Sequence, residues 1–137
     1  MKSFSNRAFY LLVGLAGFAG SAAAHHSAAM FDKDKVVTVA GKVKEVQWTN
    51  PHVAIYVEEP AKGGAEPVLW VCELTSPGNL VRLGWSKSAI KAGDKVTVDF
   101  NPLRNGKKGG WLNKVTLAES GQSYVNDIFA QEKANLK

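Results

Sequence analysis

Thr75-Ser76-Pro77-Gly78-Asn79-Leu80-Val81-Arg82-Leu83-Gly84-Trp85 decides the fold of this chain. On either side of it, apolar residues recur at every second position; within it the period lengthens. Ser76 suits a helix N-cap. Pro77 suits the first helical position, where its missing N–H costs nothing, and Gly84 supplies a stop. Leu80 and Leu83 fall on one face. The stretch predicts a helix of about two turns set between strands.

Immediately before it, Val68 to Leu74 is apolar nearly throughout and predicts a central strand. The breaker-rich segment from Glu59 to Pro67 is a hairpin loop, and His52 to Glu58 is the strand before that loop. In that strand Val53, Ile55 and Val57 share one face, while His52, Ala54, Tyr56 and Glu58 share the other. Thr49-Asn50-Pro51 breaks the chain, because Pro51 lacks an N–H and restricts Asn50. Upstream, Val36 to Val39 and Lys42 to Trp48 form a first strand interrupted at Gly41. Val43 is out of phase with Val46 and Trp48, which marks a bulge or a sharp coil.

After the helix, Gly93-Asp94 supplies a turn and Val96 to Phe100 alternates cleanly as strand four. Asn101 to Gly110 reads as a Gly- and Lys-rich hairpin loop, and Trp111 to Leu117 as strand five. The tail from Glu119 carries Tyr124, Ile128 and Phe129 at near-helical spacing, so it is either a docked short helix or a frayed end. The order is three strands, one short helix, two strands. That predicts an all-β fold: a small five-stranded OB-like Greek-key barrel with the helix between strands three and four. A small sandwich is the alternative. Gly41 in mid-strand and the position of the helix favour the barrel.

The first residues belong to a different class. Lys2 and Arg7 form a positive n-region, Ala8 to Ala19 an apolar run, and Ser21-Ala22-Ala23-Ala24 a small-residue cleavage signal. The run is short of the roughly 20 residues of a spanning helix. Residues 1–24 therefore read as a signal peptide. The mature protein is expected in the periplasm or secreted, with no transmembrane anchor after cleavage. The remaining divisions are an N-terminal arm at 25–35, the barrel at 36–118 and a tail at 119–137. Cleavage lowers the net charge from +5 to about +3. The charges are scattered, with no basic stripe, so nucleic acid is not an expected partner. Cys72 is the only cysteine, which excludes an internal disulfide; burial is its expected state.

Several motifs together cover nearly the whole mature chain: His25-His26-Ser27, Met30-Phe31-Asp32, Trp48-Thr49-Asn50-Pro51-His52, Trp70 with Glu73, Ser76-Pro77 with Arg82, Gly84-Trp85, Lys91-Ala92-Gly93-Asp94, Asn101-Pro102 and Gly109-Gly110. In this combination the chain resembles a family of small, exported bacterial proteins of unknown function. The resemblance implies an exported OB-like domain and no established activity. Ala92 stands where the resemblance leads one to expect Pro.

The histidines carry the most chemistry. Cleavage after Ala24 makes His25 the N-terminus. Its α-amine and an imidazole nitrogen then form one chelate, which a second imidazole from His52, or alternatively His26, completes for Cu(II). Cleavage after Ala23 gives Ala24-His25-His26, a spacing for amine, backbone amides and the His26 imidazole around copper or nickel. Against this stand a solvated arm, and a His52 that merely holds the turn. Pairing of strands two and three is expected to bring Glu73 near His52, either as a support behind the imidazole or as a weak axial group on the metal. Cys72 points the other way. Trp48 and Trp111, at strand ends, are candidate contacts for a ligand or another envelope protein, Asn50 belongs to the turn, and Arg82 either pairs with Glu73 or binds an anion. No Ser-His-Asp spacing, phosphate loop or dinucleotide fingerprint occurs. A binding module is expected rather than an enzyme, with copper the favoured metal and a non-catalytic accessory domain as the alternative. An enzyme using His52, Glu73 or Cys72 is the minor reading.

Overall fold

The computed structural model describes residues 28–127. Five strands build the barrel: β1 (Val37–Gln47), β2 (Ala54–Glu59), β3 (Val68–Glu73), β4 (Lys95–Pro102) and β5 (Gly109–Leu117). One helix, α1 (Pro77–Arg82), lies between β3 and β4. Its start is built as the sequence predicts. Ser76 is the extended N-cap, its side chain accepts the Asn79 N–H, and Pro77 occupies the first turn. The chain then leaves the helix through Gly84 at φ 88°. Among the described residues, no helix is long and apolar enough to cross a membrane.

The sheet runs β3-β2-β1-β4-β5 and returns on itself through a parallel pairing of β3 with β5. The result is a closed five-stranded barrel with the helix where the sequence places it. β1 serves two neighbours. Its first half pairs with β4 from Val37 to Lys42, its second half with β2 from Lys42 to Gln47. The strand bends between these halves. Gly41 permits the bend, because a Cβ there would sit 2.4 Å from the Glu58 carbonyl oxygen. The phase slip seen in the sequence is a register shift between Val43 and Glu45, just after this glycine. It lets Val43 face inward although it is out of step with Val46.

The core follows the predicted inward faces. Val53, Ile55 and Val57 of the β2 segment are fully buried, with Cys72, Leu74, Leu80, Val96, Val98, Phe100, Leu112 and Val115. Burying such side chains contributes about 1.5–3 kcal/mol each relative to exposure. Trp70 packs on Phe100 with ring centroids 5.3 Å apart, and its indole N–H donates to Glu59 at 2.7 Å. Its place is therefore against the core, as the apolar run around it implied.

Three segments differ from the sequence reading. Gly109 and Gly110 are the first residues of β5 rather than loop, and both are buried. The tail forms β6 (Ser123–Val125), antiparallel to β5, where the spacing suggested a helix. Ile128 and Phe129, on which that spacing rested, lie outside the described residues. The described part of the arm is strapped to the barrel. Phe31 bridges to Leu103, Asp32 N–H donates to the Pro102 carbonyl and Arg104 N–H to the Met30 carbonyl, both at 2.8 Å. Asn101 Nδ2 donates to the Lys35 carbonyl at 2.7 Å. These bonds satisfy backbone groups that the sequence left to water.

Candidate functional site

His52 sits in the short connection between β1 and β2, just past Pro51. Asn50 and Pro51 are exposed and joined by a cis peptide bond. The alternation that buries Val53 turns His52 to the outer face of the barrel. Ala54 pairs with Glu73 across β2 and β3, which makes His52 the diagonal neighbour of Glu73. The side chains meet: His52 Nδ1 hydrogen-bonds Glu73 Oε1. Each of these two side chains is 35% exposed, so the pair lies at the surface rather than in the core.

The third member comes from the far end of the sequence. In the parallel β3–β5 pairing, Glu73 lies directly opposite Trp111. The Trp111 indole meets the His52 ring edge-on, with centroids 5.5 Å apart and planes at 83°. On its other contact, Trp111 packs against Phe31 of the arm at 5.7 Å. The imidazole is thus bounded by a carboxylate from one side of the barrel closure and an indole from the other. Phe31 is itself buried, which places the start of the described chain beside this group.

The closure requires glycine. A Cβ on Gly109 would lie 2.5 Å from the Val71 carbonyl oxygen, and one on Gly110 would lie 2.1 Å from that of Asn101. A larger residue at Gly109 would push β5 from β3, and one at Gly110 would push it from β4; either displaces the start of β5, which carries Trp111. The sequence carried this signal as a Gly-Gly immediately before an aromatic strand. Phe31 was legible only as one of two large apolar residues in a polar arm.

The predicted residues divide as follows. His52, Glu73 and Trp111 come together. Trp48 packs half-buried against the core. Arg82 is exposed and hydrogen-bonds Asn79 of its own helix; Glu73 takes His52 as its partner instead. Cys72, next to Glu73 but facing inward, is fully buried, and burial pushes its thiol up to about 12. It is not a thiolate nucleophile at neutral pH. His25 and His26 lie outside the described residues.

The arm that carries them is pinned by charge as well. Asp32 pairs with Lys35 at 3.2 Å and with Arg104 at 3.8 Å. The Lys35 hydrogen bond, helped by the Asp34 N–H and the two cations, holds the Asp32 carboxyl below its ordinary value. Among the described residues, no group of three or more His, Cys, Asp or Glu side chains could hold a metal ion. His52 and Glu73 alone therefore do not make a complete metal centre.

A family model, DUF6152, described as a family of unknown function, matches residues 13–113. The chain belongs to this family. No curated protein and no solved structure matches it.

Proposed function

We propose that this member of DUF6152 is an exported, non-catalytic binding module that holds Cu(II) between its mature N-terminus and His52. The signal-like segment at 1–24 supplies the export and, on cleavage after Ala24, the free α-amine of His25. That amine and a His25 ring nitrogen give one chelate; the His52 imidazole gives the third nitrogen, a donor set suited to Cu(II). A cut one residue earlier gives instead a chelate of the Ala24 amine, two backbone amides and the His26 imidazole, which is complete without His52.

One observation carries the reading: the arm is strapped to the barrel at the residue that touches the His52 neighbour. Phe31 packs on Trp111, and Trp111 packs on His52, with centroid separations of 5.7 and 5.5 Å. The Phe31 and His52 rings are thus no more than about 11 Å apart. Phe31 lies six positions after His25; Ala28–Met30 form a 3-10 turn rising about 2 Å per residue, and the other three steps reach about 10 Å if extended, a span of up to roughly 16 Å. His25 and His26 are therefore within reach of His52. A solvated arm anchored elsewhere would not offer this.

The test uses protein exported and processed by the cell, its N-terminal residue fixed by mass spectrometry. Cu(II) titration followed by EPR is expected to show sub-micromolar binding with nitrogen hyperfine structure. Affinity should fall at least tenfold in both His25→Ala and His52→Ala. Unchanged affinity in His52→Ala removes the shared site and leaves an N-terminal chelate alone. Absence of binding turns attention to the accessory-domain reading, which capture from envelope extract with Trp111→Ala as control addresses.

A further inference from the structure

We infer that Glu73 is a positioning residue that fixes His52 in its Nδ1–H tautomer, so that the site meets its ligand through Nε2 and the Glu73 carboxylate does not ligate. The inference deepens the copper reading, because it names the donor atom, but its central observation concerns the metal-free protein.

An ionised carboxylate only accepts, while a neutral imidazole has one N–H and one lone pair. Glu73 Oε1 is bonded to His52 Nδ1, so in the neutral ring the proton belongs on Nδ1 and the lone pair on Nε2. The backbone sets this choice. Glu73 is the last residue of β3, pinned between Ala54 of β2 and Trp111 of β5 by pairing on both sides. Trp111 then lies edge-on to the imidazole and restricts rotation about its side-chain bonds. The ring is held by groups from two strands, and among the described residues Nε2 has no hydrogen-bond partner. This carboxylate–imidazole pair is the support that metal-ligating histidines commonly have, with the carboxylate behind the ring and the metal in front. A carboxylate engaged at Nδ1 is directed away from a metal on Nε2, which is why Glu73 supports rather than ligates.

The test begins with the apo protein. Long-range 1H–15N NMR of the His52 ring, at a pH where the imidazole is neutral, reads the tautomer directly. Wild type is expected to show the proton on Nδ1. Glu73→Gln keeps an acceptor oxygen and should retain that tautomer. Glu73→Leu should release the ring to the mixture of an unconstrained imidazole, with the backbone amide spectrum reporting that each variant is folded. A proton on Nε2 in wild type overturns the inference whatever copper does. With Cu(II) added, Glu73→Gln is expected to bind within about threefold of wild type with the same EPR spectrum, and Glu73→Leu about 10- to 100-fold more weakly. Equal losses in both variants, or an altered EPR spectrum in Glu73→Gln, would make Glu73 a ligand and overturn the positioning role. Failure of copper to bind any form, with the wild-type tautomer on Nδ1, would sink the proposed function while supporting the tautomer assignment.

Discussion

Cys72 and His52 show how far single residues could be read. Cys72 lies in an apolar run, and from that run alone its burial was legible. Burial raises its thiol from 9.0 to about 12, which has a consequence in alkali. Unfolding exposes a thiol that ionises near its ordinary value, while the folded thiol keeps its proton. Stability from this group is whole below about pH 9 and is lost as pH rises towards 12. Wild type should lose roughly 2 kcal/mol relative to Cys72→Ala between pH 9 and pH 11, at about 1.4 kcal/mol per unit. Urea denaturation of both proteins at each pH measures the difference, and native Cys72 should resist a thiol reagent that labels it once unfolded. The His52–Glu73 pair was legible too, because a hairpin fixes which residues face each other. Trp111 at the same imidazole was not, since it arrives through a parallel pairing between distant segments that no local period announces. Arg82 was misjudged as a partner of Glu73 for a related reason: the nearby Asn79 on its own helix engages it first.

At the scale of elements, the glycines separate by what surrounds them. Gly110 has no room for a methyl group, whereas nothing lies within 4 Å of a Cβ built on Gly78 in α1. Gly110→Ala should cost about 2 kcal/mol or more, by overpacking β5 against the Asn101 carbonyl. Gly78→Ala should be neutral or stabilise by up to about 1 kcal/mol, through helix propensity. Denaturant midpoints of the two variants test the contrast, and Trp fluorescence should shift only in the first. The helix itself was fully legible, since cap, proline and stop are local signals. The start of β5 was not: glycines read as flexible when only the sequence is seen, but here they serve close approach. β6 was missed because three residues are too few to show a period of two, and Tyr124 was assigned to a helical spacing instead. Its ring packs on Trp85 with centroids 5.0 Å apart.

At the scale of the whole molecule, the described chain ends in a latch that lies beyond the matched family segment. Asn126 is buried; its side chain accepts the Thr75 N–H at 2.9 Å and donates to the Leu112 carbonyl at 2.8 Å. Trp85 donates its indole N–H to the Val125 carbonyl at 2.7 Å. The tail thereby ties β5 to the segment between β3 and α1. Asn126→Ala should cost about 2–3 kcal/mol by leaving buried groups unpaired, a large share of the 5–15 kcal/mol typical of a domain. Thermal unfolding of this variant beside one truncated after Ser120 would show both destabilised. Copper should act in the opposite sense. Protein beginning at His25 gains about 2.7 kcal/mol at a free metal concentration 100 times its Kd; protein beginning at Ala24, whose chelate closes within three residues and binds the unfolded chain equally well, gains far less. Calorimetric scans with and without Cu(II) measure that gain. The parallel pairing of β3 with β5 spans only Val71–Glu73 and Gly109–Trp111. Glu73 and Trp111 stand on opposite banks of that short join, so the full group of His52, Glu73 and Trp111 requires β3 and β5 to have paired. A ligand that ties the arm to His52 would hold Phe31 down on Trp111 and so act as a clasp laid over that join, slowing amide exchange first there.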